Sequence, residues 1–128
     1  MPTILVVEDD PDILEVTHLL LSAEGHRVIG ACSANEGLDI VHARGDIDML
    51  FTDVNLRRGM DGLALLERLR QENRQVPTVV VSGDSEAGSA LPRRPRGPVA
   101  FLAKPYGRRQ LLEALAACCG GSHGGPAV

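Results

Sequence analysis

The stretch Thr3-Ile-Leu-Val-Val-Glu-Asp-Asp-Pro11 decides the fold. Residues 3–7 form a continuous apolar run without polar alternation, the pattern of a strand covered on both faces. Acidic residues follow at once, and Asp10-Pro11 then opens a helix. Aspartate accepts hydrogen bonds from the orphan amides of a first turn, and proline's fixed φ and missing N–H suit the first helical position. Ile13, Val16, Leu20 and Leu21 recur at helical spacing, and Gly25 supplies the stop. A buried strand, an acidic turn and a helix make one βα unit of a parallel sheet.

The same unit repeats along the chain. Residues 27–31 read as a second strand, and Ser33 with Glu36 as the capping box of a helix running to about Arg44. Residues 48–52 form a third strand. Asp61-Gly62 opens a helix that carries Leu63, Leu66 and Leu69 and ends near Asn73. Residues 77–81 and 99–103 are the fourth and fifth strands, and a last helix holds Leu111, Leu112, Leu115 and Cys118. Apolar strands alternating with helices predict an α/β fold: a doubly wound, five-stranded parallel sheet built as (βα)5 with right-handed crossovers. The fourth helix is the weak one. Residues 83–98 contain Pro92, Pro95, Pro98 and three glycines, and an interior proline costs a helix about 3 kcal/mol and a glycine about 1 kcal/mol. This predicts a short helix of one or two turns around residues 85–91, or an irregular segment. The folded unit is expected over residues 1–119, with a flexible glycine-rich tail over 120–128.

Composition narrows the function. The chain has 128 residues, 44% of them hydrophobic, with Phe51, Phe101 and Tyr106 its only aromatics. One domain with an aliphatic core follows. A net charge of −4 gives no reason to expect nucleic-acid binding. There is no apolar run of membrane-spanning length and no signal peptide, so the expected location is the cytoplasm, without membrane contact. Three cysteines, Cys32, Cys118 and Cys119, form no disulfide framework. With His123 the neighbouring pair matches no standard zinc spacing. His18, His26 and His42 fall on surface segments and read as solvated.

Ligands of open α/β sheets bind beyond the carboxyl ends of the strands, at the switch point of strand order. After the first strand come Glu8, Asp9 and Asp10, and after the third comes Asp53. The fourth ends at Ser82 and the fifth at Lys104. In the flavodoxin-like order 2-1-3-4-5, strands one and three are neighbours, so Glu8, Asp9 and Asp53 converge, with Ser82 and Lys104 along the edge. Asp10 reads as a helix cap. Two unit charges about 5 Å apart repel by roughly 3 kcal/mol at an effective dielectric near 20. A hard divalent cation such as Mg²⁺ removes that cost. Lys104 is the one lysine among thirteen Lys and Arg residues, and its ammonium is a compact point charge where arginine offers a planar fork. Carboxylates, Mg²⁺, a hydroxyl and an ammonium around one crevice point to phosphoryl handling, with Asp53 as nucleophile forming an acyl phosphate.

The segments Ile4-Leu-Val-Val-Glu-Asp-Asp10, Phe51-Thr-Asp53, Met60-Asp-Gly62, Val79-Val-Val-Ser-Gly83 and Phe101-Leu-Ala-Lys-Pro105, in this order and spacing, resemble the response-regulator receiver domains of two-component signalling, the CheY-like family. The resemblance covers residues 2–119. It implies that Asp53 is the phosphoacceptor, served by a histidine kinase or histidine phosphotransfer protein. It implies that Asp9 binds Mg²⁺ directly, that Glu8 helps to hold it, and that Asn55 gives it a backbone carbonyl. Ser82 matches the switch hydroxyl, Lys104 the lysine that pairs with a phosphoryl oxygen, and Phe101 the aromatic switch. The implied protein is a single-domain response regulator, not an enzyme beyond its own phosphorylation and dephosphorylation. Its downstream protein partner would dock on the face made by the fourth helix, the fifth strand and the last helix. Two features depart from the family pattern: the proline-rich 83–98 segment, and a loop after Asp53 that is one residue longer, with Arg57 where proline is frequent. The alternatives are a Mg²⁺-dependent aspartyl-phosphate phosphohydrolase of the haloacid-dehalogenase type and a receiver-like binding module without phosphorylation. The first wants an aspartate two residues after the nucleophile, where this chain has Asn55.

Overall fold

The computed structural model describes residues 2–54, 56, 60–74, 76–82, 99–103 and 106–120, with the backbone alone at 101, 103 and 117–120. Five strands, β1 (Thr3–Val7), β2 (Arg27–Ala31), β3 (Met49–Asp53), β4 (Thr78–Ser82) and β5 (Val99–Ala103), pair in parallel in the order β2-β1-β3-β4-β5. Among the described residues there are four helices: α1 (Pro11–Ala23), α2 (Ala34–Ala43), α3 (Gly62–Gln71) and α4 (Arg108–Gly120). The expected helix within 83–98 and the tail after Gly120 lie outside the described residues. The last expected helix is therefore α4.

The strand period of two separates the core into two layers. Ile4, Val6, Phe51, Val79 and Val81 face one side, where they meet Leu21 of α1 and Leu111 and Leu115 of α4. Leu5, Val7 and Leu50 face the other, against Leu38 and Val41 of α2 and Leu65 and Leu69 of α3. Every residue of β1, β3 and β4 is buried. Those strands are mostly apolar because helices cover both faces, and their buried polar residues, Thr3, Thr52, Asp53, Thr78 and Ser82, fall at the strand ends. At the sheet edge, Arg27 and Gly30 of β2 are exposed.

Helix ends follow local chemistry. Asp10 Oδ1 accepts from the amides of Asp12 (2.9 Å) and Ile13 (3.3 Å), so it is the cap of α1. Asp61 Oδ1 accepts from Ala64 N at 2.8 Å and caps α3. At α2, Ser33 Oγ accepts from Glu36 N at 3.1 Å, but the Glu36 carboxylate accepts from Cys32 N, one residue before the cap. Gly25 ends α1 at φ +89°, and Asn73 takes the same left-handed role after α3 at φ +56°.

Three expectations need correction. Val16, read as part of the buried face of α1, is 55% exposed, and Leu19 beside it is 63% exposed; the buried residues are Thr17 and Leu21. A polar residue holds the inward position because its hydroxyl has a partner in Tyr106. In α3 the fully buried leucines are Leu65 and Leu69, while Leu63 and Leu66 are only partly covered. Among the histidines His18 and His42 are exposed as expected, His42 with its Nε2 2.6 Å from Glu72 Oε1 across α2 and α3. The half-buried His26 encloses Nδ1 with no hydrogen-bond partner among the described residues. Tertiary contact, which no local pattern reports, draws in the His26 ring alone.

Candidate functional site

β1 and β3 lie side by side, with Val7 in register with Thr52. The chain past β1 therefore delivers Glu8 and Asp9 next to Asp53, the last residue of β3. One carboxylate oxygen from each of Glu8, Asp9 and Asp53 lies within 4.8 Å of the other two. Glu8 and Asp53 are buried and Asp9 is half-buried. Glu8 is fixed through its backbone, which donates to Ala31 O at 3.0 Å, and its Oε2 accepts from Asp10 N at 3.1 Å. Asp53 is in register with Val81, and Val54 N donates to Val81 O at 2.9 Å. Ser82 closes the neighbouring strand β4, buried, one residue beyond that register.

The structure thus brings together Glu8, Asp9 and Asp53, with Ser82 at the adjoining strand end. Asn55 and Lys104 lie outside the described residues. Phe101 sits on β5 in register with Val80, and its side chain lies outside the described residues, as do those of Cys118, Cys119 and His123.

Two residues that the sequence reading quoted only within motifs turn out to have a part at the site. Thr52, fully buried, donates from Oγ1 to the carbonyl oxygen of Asp53 at 3.1 Å. Gly62 packs directly on that same carbonyl: a Cβ there would press into the Asp53 oxygen, with the Asp53 carbonyl carbon at 2.9 Å and Thr52 Oγ1 at 3.1 Å. Its own amide donates to Val54 O at 3.0 Å. The first turn of α3 is thereby seated on the backbone of Asp53. Glycine straight after a helix cap was the available signal, since close backbone approach is one of the few demands only glycine meets.

The donor set is three hard carboxylate oxygens, which suits a hard divalent cation and not a soft one. Two oxygens sharing one Mg²⁺ stand at most about 4.2 Å apart, twice the metal–oxygen distance of about 2.1 Å. A 4.8 Å cluster is within a small side-chain rotation of that geometry. The residues present therefore fit such an ion.

A family model for the response regulator receiver domain matches residues 4–116. The chain belongs to the response regulator receiver domain family. The nitrogen assimilation regulatory protein NtrX of Azorhizobium caulinodans is 33% identical over 110 residues, which are 85% of this chain and 24% of that protein. The solved structure of a sensor protein from Polaromonas sp. JS666 has a TM-score of 0.80 at 31% identity, covering 94% of this chain and 97% of that one. The receiver domain of the hybrid histidine kinase CckA has a TM-score of 0.70 at 32% identity, covering 88% and 94%. The receiver spans about a quarter of the length of curated regulators such as NtrX. The haloacid-dehalogenase reading does not fit this family. No helix among the described residues is long and apolar enough to cross a membrane.

Proposed function

We propose that this receiver accepts a phosphoryl group on Asp53 from a histidine kinase or histidine phosphotransfer protein and thereby switches the binding of a downstream protein. The observation that carries the reading is the convergence of Glu8, Asp9 and Asp53 beside Ser82 at the carboxyl end of a receiver-family sheet. A carboxylate oxygen of Asp53 attacks the phosphorus of a donor phosphohistidine. The new O–P bond forms as the N–P bond breaks, and the imidazole leaves with the electron pair. Glu8, Asp9 and Asp53, with the backbone carbonyl of Asn55, would hold Mg²⁺. When bound, that ion supplies positive charge against the carboxylates and the phosphoryl oxygens. The Ser82 hydroxyl donates to a phosphoryl oxygen and the Lys104 ammonium pairs with another. The gain of roughly one negative charge and three acceptor oxygens is what these groups respond to. Phe101, on the strand beside Ser82, turns inward as Ser82 moves. Output runs through the face of residues 83–98, β5 and α4, in a cytoplasmic setting, and the receiver turns over no further substrate.

Intact-mass measurement after treatment with Mg²⁺ and acetyl phosphate tests the assignment. Wild type should gain one phosphoryl group and Asp53→Ala none. A gain that survives the substitution would falsify it.

A further inference from the structure

A cavity of about 180 Å³ lies at the amino-terminal end of the sheet, away from the carboxylate cluster. Val41 of α2, Leu50 of β3 and Leu69 of α3 converge on it and make its floor aliphatic. Leu50 is three residues before Asp53, so about 10 Å of β3 separates the two places. Protein interiors leave few voids larger than a water molecule. Aliphatic walls give water no hydrogen-bond partner, and an apolar cavity of about 150 Å³ can hold benzene. The space here therefore suits one ring or a short branched chain.

The charges at the edge of this cavity do not cancel. Arg44 and Arg74 both line it, each with its side chain about half exposed. Arg44 is matched: its Nε and Nη2 donate to the two carboxylate oxygens of Asp46 at 2.9 and 2.8 Å. Glu72 is matched at both oxygens. Its Oε1 lies 2.6 Å from His42 Nε2, and its Oε2 accepts from Arg68 Nε at 2.7 Å. Arg74 Nε reaches Glu72 Oε1 only at 3.8 Å, beyond hydrogen-bond length. Among the described residues that is its one acidic neighbour. Three arginines thus stand against two carboxylates, and the positive charge left over falls on Arg74. Its planar fork is shaped to take a carboxylate. The way in is open beside Gly45, where a Cβ would meet nothing within 4 Å.

We propose that this cavity is a second ligand site, for a small monocarboxylate with a compact apolar body, such as an aromatic or branched aliphatic acid. The body fills the aliphatic floor and the carboxylate pairs with Arg74. The site does not depend on the phosphoacceptor reading. The test titrates sodium benzoate, benzyl alcohol and sodium acetate into the full chain at neutral pH and matched ionic strength, with backbone amide signals followed by NMR. Benzoate should shift signals within residues 41–50 and 69–76 and saturate with a dissociation constant of about 1 mM, in keeping with about nine non-hydrogen atoms. Benzyl alcohol keeps the ring without the charge and should bind about threefold to tenfold more weakly. Acetate keeps the charge without the ring and should not saturate over the same range. Arg74→Gln should weaken benzoate by about threefold to tenfold, whereas Arg109→Gln, at a side chain 89% exposed on α4, should leave it unchanged. Benzoate shifts that never saturate, or that centre elsewhere on the molecule, overturn the proposal. So do equal affinities for benzoate and benzyl alcohol, saturation by acetate, wild-type affinity in Arg74→Gln, or a loss shared by Arg109→Gln.

Discussion

Gly62→Ala should damage this receiver out of proportion to one methyl group. The added Cβ would lie 2.9 Å from the carbonyl carbon of Asp53 and closer still to its oxygen, where ordinary contact begins at 3.4 Å. At least half an ångström of movement is needed for the carbon alone, and more for the oxygen. The obstacle is backbone, which cannot swing aside as a side chain can. β3 is hydrogen-bonded between β1 and β4, and α3 is tied down by the Asp61 cap and by the Gly62 N to Val54 O bond at 3.0 Å. Overpacking of a well-filled interior costs about 1–3 kcal/mol, and a clash between two constrained backbones belongs at about 3 kcal/mol. For a domain of this size each kcal/mol is worth roughly 3–5 °C, so the thermal midpoint should fall by about 10–15 °C. The strand end that yields is the one carrying Asp53. Misplacing a reacting group by about 1 Å costs on the order of 100-fold, so phosphoryl uptake below the new midpoint should fall by about that factor. Thermal unfolding by circular dichroism and timed intact-mass measurement with acetyl phosphate read the two effects. A variant that unfolds within 2 °C of wild type and takes up phosphoryl at the wild-type rate would refute the argued contact between α3 and Asp53.

Two further outcomes follow from charge. Without metal, Asp9→Asn should be more stable than wild type by about 1 kcal/mol, the repulsion between neighbouring carboxylates reduced by solvent at a half-buried group. Mg²⁺ should raise the unfolding midpoint of wild type and leave that of Asp9→Asn nearly unmoved; equal rises in both would count against Asp9 as a ligand. His42, and then Arg68, hold the Glu72 carboxyl below the ordinary glutamate range. A depressed carboxylate contributes stability that is fully present above its unfolded pKa, near 4.3, and is lost as pH falls through the lower folded value. The stability gap between wild type and Glu72→Gln should therefore be largest above about pH 5 and close as the pH drops towards 3. A gap that stays constant across that range would show that the His42–Glu72–Arg68 contacts contribute nothing through charge.

Much of this was readable in the chain because the relevant physics is local. Residues 4–7 and 79–81 are apolar without alternation, the pattern of a strand covered on both faces, and strand boundaries came within one residue. The caps Asp10, Ser33 and Asp61 act on amides two or three positions away, so their residue types announce them. Asp53, Ser82 and the Glu8-Asp9 pair were legible because a parallel sheet presents its strand ends on one edge. Val16 misled because helical periodicity tells which residues share a face but not which of two adjacent faces a sheet will cover. Leu65 was missed for the same reason.

The order of apolar runs, caps and glycine stops along the chain was enough to determine an α/β sheet with an acidic edge, because burial on both faces and first-turn hydrogen bonding act within a few residues. Only the tertiary structure decided the contacts between distant segments. It brought the three carboxylates within 4.8 Å, seated Gly62 on the carbonyl of Asp53, and joined Thr17 to Tyr106 across 89 residues of chain. Such contacts depend on how helices settle on a twisted sheet, and close packing, unlike capping or periodicity, has no local signature.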